Sequence, residues 1–352
     1  MNVTIQKVEK SKLEGVSFKD LAFGKNFTDH MLIVEYKEGK WNNPIIKPYG
    51  NITISPAAQV LHYGQAVFEG MKAYRNKNDE VFLFRPKDNF IRINESCKRL
   101  NMPELPQDLF MEGLKTLVDL DRNWIPTEEG SSLYLRPFVF ASEAMLKATT
   151  STEYTFMILC SPAQTYYSEP LKIKIADYYS RAASGGVGYA KAAGNYAASF
   201  FPTEEARKEG FDQILWTDAA THSFIEESGT MNVFVRYENK LVTAPATETI
   251  LNGVTRRSVI EIGKELGLKI EERPIAVEEV ITGIKSGTIK EMFGCGTAVV
   301  LILYKSVGYK KEELKLNLLS EEESIAMKIK SRLVGIQTGV QNDPFGWRIK
   351  IE

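Results

Sequence analysis

The sequence has 352 residues, 43% of them hydrophobic, and a formal net charge of −1. A chain of this length fits two domains of ordinary size, each with its own apolar core. Its acidic and basic residues are evenly interspersed, without the basic stripe that follows a phosphate backbone, so we expect no nucleic-acid partner.

The cysteines and the apolar runs predict the compartment. Cys97, Cys160 and Cys295 are odd in number, far apart and without the spacing of metal ligands, which predicts reduced thiols, a cytoplasmic location and no bound metal. Residues 1–10 contain no apolar signal core. The most apolar run, 297–304, is much shorter than the roughly 20 residues that cross a bilayer, so we expect no membrane association.

The first half of the chain has the pattern of a small α+β domain. Its predicted elements, in chain order, are a strand over 31–36, a strand over 81–84, a helix from Pro86, a helix over 109–122, and strands over 131–140 and 154–160.

Residues 161–170 interrupt the periodicity with two prolines and several polar residues, which predicts a linker between domains. The predicted division is a small domain over 1–163, a linker over 164–170 and a larger α/β domain over 171–352. The elements predicted in the larger domain are strands over 171–176, 213–216, 232–237 and 289–293, and helices over 203–208, 255–266 and 321–336.

One lysine stands alone in a long segment of small and apolar residues. Between Arg181 and Glu204, the sequence AASGGVGYAKAAGNYAASFFPT carries a single charge, that of Lys191. Small neighbours let a bulky group reach the amine, and apolar walls disfavour its charged form, as an amine nucleophile requires. Lys191 is therefore a candidate to form an imine. A lysine that extends from a flexible glycine loop into solvent fits this segment equally well.

A second candidate is an acid in the segment IEESGTMNVF. Glu227 follows a strand-like run and stands beside the small residues Ser228 and Gly229, so its carboxylate could meet a ring held close to the backbone. A buried carboxylate suits a protonated pyridine nitrogen. The alternative is a solvated loop acid, the common state of acidic residues, and this is the state that we expect for the neighbouring Glu226.

Three further segments suit an anion. Arg85 ends VFLFRP just before a helix, where its guanidinium could clamp an anion, although an ion pair with Asp88 explains it as well. LNGVTRRS places the N–H groups of Val254 and Thr255 at a helix N-terminus, and FGCGTA places those around Thr297 at a turn. Both resemble anion-binding nests, and both are equally ordinary as turns without a ligand.

Eight motifs, read in chain order, resemble those of the branched-chain aminotransferases of pyridoxal-phosphate (PLP) fold type IV, a class IV aminotransferase family. They run from Phe27 to Ala298: FTDHM, HYGQAVFEGMKAY, LFRP, SLYLRP, GGVGYAKAAGNY, ESGTMNVF, GVTRRS and FGCGTA. Each is weak alone, but chance does not explain eight in the family's order and spacing. The resemblance implies an α/β protein with a small α+β N-terminal domain and a larger α/β pseudo-barrel domain that binds pyridoxal 5′-phosphate.

The resemblance implies a role for each matching residue. Lys191 forms the Schiff base with the cofactor and moves a proton, so it is the catalytic residue. Glu227 keeps the pyridine nitrogen protonated, which lets the ring accept electrons, and Tyr196 hydrogen-bonds the phenolic oxygen. Arg181 is implied as a further neighbour of the cofactor. The residues implied to bind the cofactor phosphate are Arg85, Val254, Thr255 and Thr297.

The resemblance also implies how the substrate binds. Its carboxylate meets the amides of Thr297 and Ala298. Aromatic residues, which ordinary core packing would also explain, wall an apolar side-chain pocket: Phe27, Tyr63, Phe68 and Tyr134, with Tyr166 as a further candidate. Because glutamate enters the same pocket, Arg136, Lys72 or a tyrosine hydroxyl has to accept its γ-carboxylate.

Two features of the assembly and the chemistry follow from the same resemblance. Family members are homodimers in which small-domain residues of a second subunit complete the pocket, so a homodimer is implied. The C-x-x-C pair of mammalian members aligns with Val299 and Ile302, so their thiol switch is expected to be absent. We expect Cys295 to be buried.

The sequence therefore predicts transamination of L-leucine, L-isoleucine and L-valine with 2-oxoglutarate, giving branched-chain 2-oxo acids and L-glutamate by a ping-pong route. Its partners are small-molecule amino acids and 2-oxo acids. The alternatives within the fold type are a D-amino-acid aminotransferase and an aminodeoxychorismate lyase, and the aromatic motif HYGQAVFEGMKAY favours the branched-chain enzyme. A PLP-binding protein without turnover is the alternative of another class, against which Lys191, Tyr196 and Glu227 argue.

Overall fold

The computed structural model describes residues 2–19, 21–164 and 169–352. The strands in these ranges are β1 (Thr4–Ile5), β2 (His30–Lys37), β3 (Lys40–Trp41), β4 (Ile45–Pro48), β5 (Ala66–Phe68), β6 (Met71–Arg75), β7 (Val81–Phe84), β8 (Ser132–Ala141), β9 (Tyr154–Ala163), β10 (Leu171–Ile175), β11 (Gln213–Thr217), β12 (Phe224–Ser228), β13 (Met231–Arg236), β14 (Lys240–Thr243), β15 (Lys269–Glu272), β16 (Ile275–Ala276), β17 (Glu291–Gly296), β18 (Val300–Tyr309), β19 (Glu312–Lys315) and β20 (Arg348–Ile351). The α-helices are α1 (Gln59–Tyr63), α2 (Pro86–Arg99), α3 (Gln107–Leu120), α4 (Ala193–Lys208), α5 (Val254–Glu265), α6 (Val277–Ser286) and α7 (Ile325–Thr338). Of the helices described, none is long and apolar enough to span a membrane.

The chain folds into two compact units, and neither is one continuous stretch. The first comprises Met1–Tyr166, Ala190–Gly194 and Ile336–Glu352, and the second comprises Tyr167–Tyr189 and Asn195–Gly335. The segment around Lys191 and the C-terminal residues therefore belong to the first unit. A division of the chain at one position cannot reproduce this grouping. The predicted limits 1–163 and 171–352 stay a prediction.

The linker predicted over 164–170 stays a prediction, although the break in periodicity noted from residue 161 begins inside β9. β9 continues to Ala163 although it contains Pro162. Its residues pair with β8 along the whole strand, from Ala163 opposite Ser132 to Tyr154 opposite Ala141. Residues 165–168 of the predicted linker lie outside the described residues.

The first unit is built on a sheet with the strand order β1-β4-β2-β9-β8-β6-β7-β20, in which β3 pairs with β2 and β5 with β8. Side chains alternate between its two faces. On one face Leu133, Leu135 and Val139 of β8 join the apolar core that includes α2 and α3, where each fully buried Leu or Val stabilises the fold by about 1.5–3 kcal/mol. The intervening residues of β8, Tyr134 and Arg136 among them, lie on the opposite face.

Six strands of the second unit pair in a closed ring, in the order β13-β17-β18-β10-β11-β12 and back to β13. The closing pair is β12 with β13, where Glu227 lies opposite Asn232. Ring closure leaves no free edge among these six strands. Apolar residues of the ring, including Ile173, Val233 and Tyr304, belong to the core of this unit. The predicted pseudo-barrel is confirmed.

Most predicted elements are confirmed within a few residues, and one is wrong at its start. β7 and the first residue of α2 are as predicted, because Pro86 has the φ of a first helical turn and has no N–H to lose. α4 begins at Ala193, not at residue 203. Its first turns combine small residues with Asn195 and Tyr196 and show no apolar stripe, and Pro202 lies inside the helix, where a proline normally marks a boundary.

Candidate active site

Lys191 lies in the first unit, two residues before α4, and both ends of its main chain are fixed. Its N–H donates to Ser96 Oγ of α2 at 2.9 Å, and its carbonyl accepts from the Phe68 N–H at 3.1 Å. The next residue, Ala192, forms a β-bridge with Val67. These contacts hold Lys191 on folded structure, unlike a lysine on a flexible glycine loop.

The Lys191 side chain lies over an aromatic ring. Its Nζ is 4.9 Å from the Phe68 ring centroid, and the Arg136 guanidinium is 4.6 Å from the same centroid. Arg136 Nη2 also donates to the Tyr134 hydroxyl at 2.9 Å. The structure therefore brings Phe68, Tyr134 and Lys191 together. A Cβ at Gly70 would lie 2.3 Å from the Tyr134 hydroxyl oxygen, so a side chain there would displace that hydroxyl.

The buried carboxylate of Glu69, which is paired with Arg92, lies near Lys191. Glu69 accepts from Arg92 Nε at 2.7 Å and from Asn89 Nδ2 at 2.7 Å. Burial alone would raise the pKa of Glu69, but the charges of Arg92 and Lys191 and these hydrogen bonds together hold that pKa below its ordinary value. Glu69 is therefore a carboxylate at neutral pH.

Other predicted pocket residues make different contacts. Phe27 stacks on Tyr49 with the ring centroids 4.6 Å apart. Tyr63 is 46% exposed, and its hydroxyl donates to the carbonyl of Leu146. Neither contact places these rings in the cluster of Phe68 and Arg136. Tyr166 lies outside the described residues, so the full pocket stays a prediction.

Glu227 lies in β12 of the second unit and is held by three donors. Its Oε1 accepts from the Leu251 N–H at 2.8 Å and from Asn232 Nδ2 at 3.1 Å, and its Oε2 lies 2.8 Å from Arg181 Nε. The side chain is only 4% exposed, which differs from a solvated loop acid. N–H donors and a guanidinium all favour the ionised form of a carboxylate.

Arg181 donates to fixed acceptors within the second unit. Besides Glu227, its Nη1 donates to the Thr249 carbonyl at 2.7 Å and its Nη2 to the Gly188 carbonyl at 3.1 Å. This arrangement makes Arg181 the ion-pair partner of Glu227. Its predicted place on the cofactor side stays a prediction.

A cavity of the second unit is lined by both Glu227 and Tyr196, together with Arg181, Thr230 and Leu251. Tyr196 lies in the first turns of α4, and its carbonyl accepts from Ser199 Oγ at 2.7 Å. Tyr196 and Glu227 therefore line one cavity. A polar aromatic ligand with a basic nitrogen suits these two groups.

The predicted anion nests lie at the ends of regular elements in the same unit. α5 begins at Val254 after Gly253, and its first turn has no acidic residue and no side-chain cap, so the N–H groups of Val254 and Thr255 lie at the positive end of the helix. A Cβ on Gly253 would lie 2.1 Å from Asn232 Oδ1, so a side chain there would displace the amide of Asn232. Thr297 and Ala298 lie in the turn between β17 and β18, as the nest prediction requires.

Arg85, in the first unit, has the ion pair that its sequence context offered as an alternative. Its Nε donates to Asp88 Oδ2 at 2.7 Å, and its guanidinium lies 4.9 Å from the centroid of the Trp347 ring. Its φ of 49° is uncommon for a residue with a side chain. The predicted phosphate contact of Arg85 stays a prediction.

The expectation of a solvated Glu226 is wrong. Glu226 is only 9% exposed, and its strand β12 is one of the six strands of the closed ring, where it pairs with β11 and β13. Its Oε1 accepts from the Thr249 hydroxyl at 2.6 Å. A sequence run of two adjacent acids gives no sign of this burial.

Cys295 is buried, as predicted. Burial raises the pKa of its thiol to about 12, so the reactive thiolate is scarce at neutral pH. Val299 and Ile302 carry no thiol at the positions of the mammalian pair.

Sequence reasoning missed the residues that support the predicted ones. Asn232 Nδ2 donates both to Glu227 Oε1 and, at 2.9 Å, to the Leu251 carbonyl. Ser96 accepts a hydrogen bond from the Lys191 N–H. The signal for Asn232 is an amide inside the apolar strand MNVFVR, a residue type that strands disfavour. Ser96 gives no comparable signal, because serine is common in helices.

Comparison with known proteins agrees with this geometry. The family model for amino-transferase class IV matches residues 66–307. The chain is 44% identical over 355 residues to a probable branched-chain-amino-acid aminotransferase of Staphylococcus epidermidis, covering 98% of this chain and 99% of that protein. It is also 44% identical over 335 residues to branched-chain-amino-acid aminotransferase 2 of Bacillus subtilis, covering 94% and 92%. The solved branched-chain amino acid aminotransferase of Thermobaculum terrenum in its PLP-form has a TM-score of 0.72 at 22% identity, covering 91% of this chain and 98% of that one.

The mostly antiparallel sheet of the first unit and the closed ring of the second match the PLP fold type IV class, which confirms the predicted fold. The chain belongs to the amino-transferase class IV family. The resemblance inferred from the eight motifs is thereby confirmed.

Proposed function

We propose that this protein uses pyridoxal 5′-phosphate to transfer the amino group of L-leucine, L-isoleucine or L-valine to 2-oxoglutarate, giving a branched-chain 2-oxo acid and L-glutamate. The names of its relatives, at 44% identity over nearly the whole chain, support the substrate class. The observation that carries the chemistry is the buried Glu227 carboxylate, held by three donors in a cavity that Tyr196 also lines.

The residues present fit this cofactor. Glu227 suits a protonated pyridine nitrogen, and the Tyr196 hydroxyl suits a phenolic oxygen. The uncapped N-terminus of α5 at Val254 and Thr255 suits a phosphate, as does the turn at Thr297. When bound, PLP supplies an electron sink for the charge that develops at the substrate Cα.

Two groups of this chain act on protons. The Nζ of Lys191 would hold the cofactor and, as a free amine, would move a proton between the substrate Cα and C4′ of the cofactor. Glu227 holds a proton on the pyridine nitrogen by remaining negative beside it. The fixed main chain of Lys191 supports this role, since it anchors the amine to α2 and β5.

The substrate side chain is bound by the apolar surface of Phe68 and Tyr134, with Phe27 and Tyr63 as further proposed walls. The amides of Thr297 and Ala298 bind the substrate carboxylate. Phe68 also excludes water from one side of the Lys191 amine, whose Nζ lies over its ring. Exclusion of water strengthens each charge interaction at the reacting atoms.

Amino donors test the proposed substrate class. We expect L-leucine, L-isoleucine and L-valine to react better than L-alanine, L-aspartate and D-alanine, because each buried methylene contributes about 1–3 kcal/mol of discrimination. Alanine should therefore be slower than leucine by at least about a hundredfold in kcat/KM. The measurement is kcat/KM for each donor with 2-oxoglutarate as acceptor. Preference for D-alanine would indicate a D-amino-acid aminotransferase, and release of product without an acceptor would indicate a lyase.

Glutamate serves as the control donor in the same panel, because its γ-carboxylate needs a cation. We propose Arg136 for this contact, since its guanidinium lies against both Phe68 and Tyr134. In Arg136→Met, the ratio of kcat/KM for glutamate to that for leucine should fall about tenfold or more. A visible cofactor band without any turnover of the panel would identify a PLP-binding protein that is not an enzyme.

We propose that the protein is a homodimer. Exposed aromatic side chains of the second unit support this, since Tyr178, Phe200 and Phe201 are 76%, 66% and 61% exposed and grouped aromatic surface is typical of interfaces. Light scattering of the purified protein should give twice the 39.7 kDa chain mass. A monomer mass across the micromolar range would contradict the proposal.

We also propose a cytoplasmic location. Cys97, Cys160 and Cys295 are free and buried, which suits a compartment that keeps thiols reduced. Fractionation of the source cells tests it, and recovery outside the cytoplasm would contradict it.

A further inference from the structure

Glu226 is a buried acid whose two oxygens have different surroundings. Oε1 accepts from the Thr249 hydroxyl at 2.6 Å. Oε2 is buried, and no residue that the structure describes hydrogen-bonds to it. A buried carboxylate oxygen without a donor is costly, whereas a neutral carboxyl group is much less so.

A continuous set of contacts leads from Glu226 to Glu227. Thr249 offers its hydroxyl to Glu226, and its carbonyl accepts from Arg181 Nη1 at 2.7 Å. The Nε of the same guanidinium lies 2.8 Å from Glu227 Oε2. The position of Thr249 therefore affects how Arg181 meets Glu227.

The charges around Glu226 favour its neutral form. Its own strand carries Glu227, the end of β11 is followed by Asp218, and Arg181 is the facing cation. Arg181 is already paired with Glu227. Burial, above all, raises the pKa of Glu226; the charges of Glu227 and Asp218 raise it further, against the opposing effects of the Thr249 hydroxyl and Arg181.

We propose that Glu226 is a positioning residue that carries a proton at neutral pH and, through Thr249 and Arg181, holds Glu227 in place at the cofactor site. As a neutral acceptor it fixes Thr249 without competing with Glu227 for the charge of Arg181. At alkaline pH, Glu226 loses this proton, and Arg181 then faces two negative carboxylates. Its ion pair with Glu227 is weakened as a result. This inference rests on the proposed role of Glu227.

Four substitutions test the positioning step in the holoenzyme. Glu226→Gln keeps a neutral acceptor of the same shape, so its kcat at neutral pH should stay within about threefold of the parent value. Glu226→Ala and Thr249→Val each remove one side of the hydrogen bond and should lower kcat about tenfold. Thr249→Ser restores the hydroxyl and should recover most of that loss.

Two readouts distinguish this role from simple structural support. Infrared difference spectra of Glu226→Gln against the parent, at neutral pH, should show the loss of one carboxylic-acid C=O band. The pH profile of kcat should lose an alkaline transition in Glu226→Gln and keep it in the parent. Glu278→Gln is the matched control, because Glu278 is exposed and also accepts a threonine hydroxyl, that of Thr282 at 3.4 Å; it should change neither readout.

The proposal is overturned if Glu226→Gln loses no carboxylic-acid band, since Glu226 is then ionised. It is also overturned if Glu226→Gln lowers kcat as much as Glu226→Ala, since the charge then matters. The infrared band is measured without turnover and in the protein with or without cofactor. It therefore tests the proton on Glu226 even if substitution of Glu227 shows that the proposed role of that residue is wrong.

Discussion

Lys191→Ala should abolish transamination and leave the fold intact. Loss of the proton-transferring amine alone should lower the rate about 10²–10⁴-fold, and loss of the covalent anchor lowers it further. The fold should survive because Lys191 is held through its main chain, by Ser96 Oγ and the Phe68 N–H, and both contacts remain in the variant. The measurements are kcat with leucine and 2-oxoglutarate, and the thermal unfolding midpoint.

Chemical trapping identifies the anchor directly. Borohydride reduction of the holoenzyme should attach the cofactor to the peptide that contains Lys191, and reduction of the variant should attach it nowhere. Lys208→Ala is the matched control, because this lysine lies in α4, is exposed and pairs only with Glu205 among the described residues. Near-normal turnover of Lys191→Ala without added amines would remove Lys191 from the mechanism.

Local patterns were sufficient to predict elements whose signal is local. The proline at 86 determines where α2 begins, and β7 is a short run of apolar, strand-forming residues. The same reasoning failed for the start of α4, whose first turns show no apolar stripe and whose proline, Pro202, lies inside the helix. A helix stabilised by its tertiary surroundings need not show an apolar stripe in its sequence.

Burial and strand pairing are nonlocal, and they account for most of what the sequence did not show. Glu226 and Glu227 are adjacent acids in a strand, and both are buried by residues distant in the sequence, Glu226 against Thr249 and Glu227 against Leu251. The grouping of residues 190–194 and 336–352 with the first unit also depends on contacts between distant parts of the chain. Composition and periodicity carry no information about either.

The candidate site could be located by its motifs, but its internal contacts could not. Lys191 and Glu227 stand out because each is a charged residue among small neighbours. The partner of Glu227 is Arg181, which the sequence placed near the cofactor without an acceptor, and Asn232 was overlooked. A hydrogen bond within about 3 Å depends on side-chain geometry, which spacing along the chain does not determine.

Glu227→Gln should keep the cofactor bound but lower kcat by about 10²–10³, the effect of removing one preorganised charge-stabilising group. A neutral amide cannot hold the pyridine proton that makes the ring an electron sink. The amide also replaces an oxygen that accepts from Leu251, Asn232 or Arg181. Breaking a buried ion pair costs about 3–5 kcal/mol, so the variant should also unfold at a lower temperature.

Glu291→Gln separates the chemical effect from the structural one. Glu291 is also buried and paired with an arginine, Arg236, whose Nη1 contacts its Oε2 at 2.5 Å, but this pair lies at the other end of β13 from Asn232. Both variants should lose stability, and only Glu227→Gln should lose turnover while keeping its cofactor absorbance. The rate of proton removal from the substrate Cα, measured with Cα-deuterated leucine in a single turnover, identifies the slowed step. If that rate is the same in the two variants, Glu227 serves the fold alone, and the ionised carboxylate has no part in the reaction.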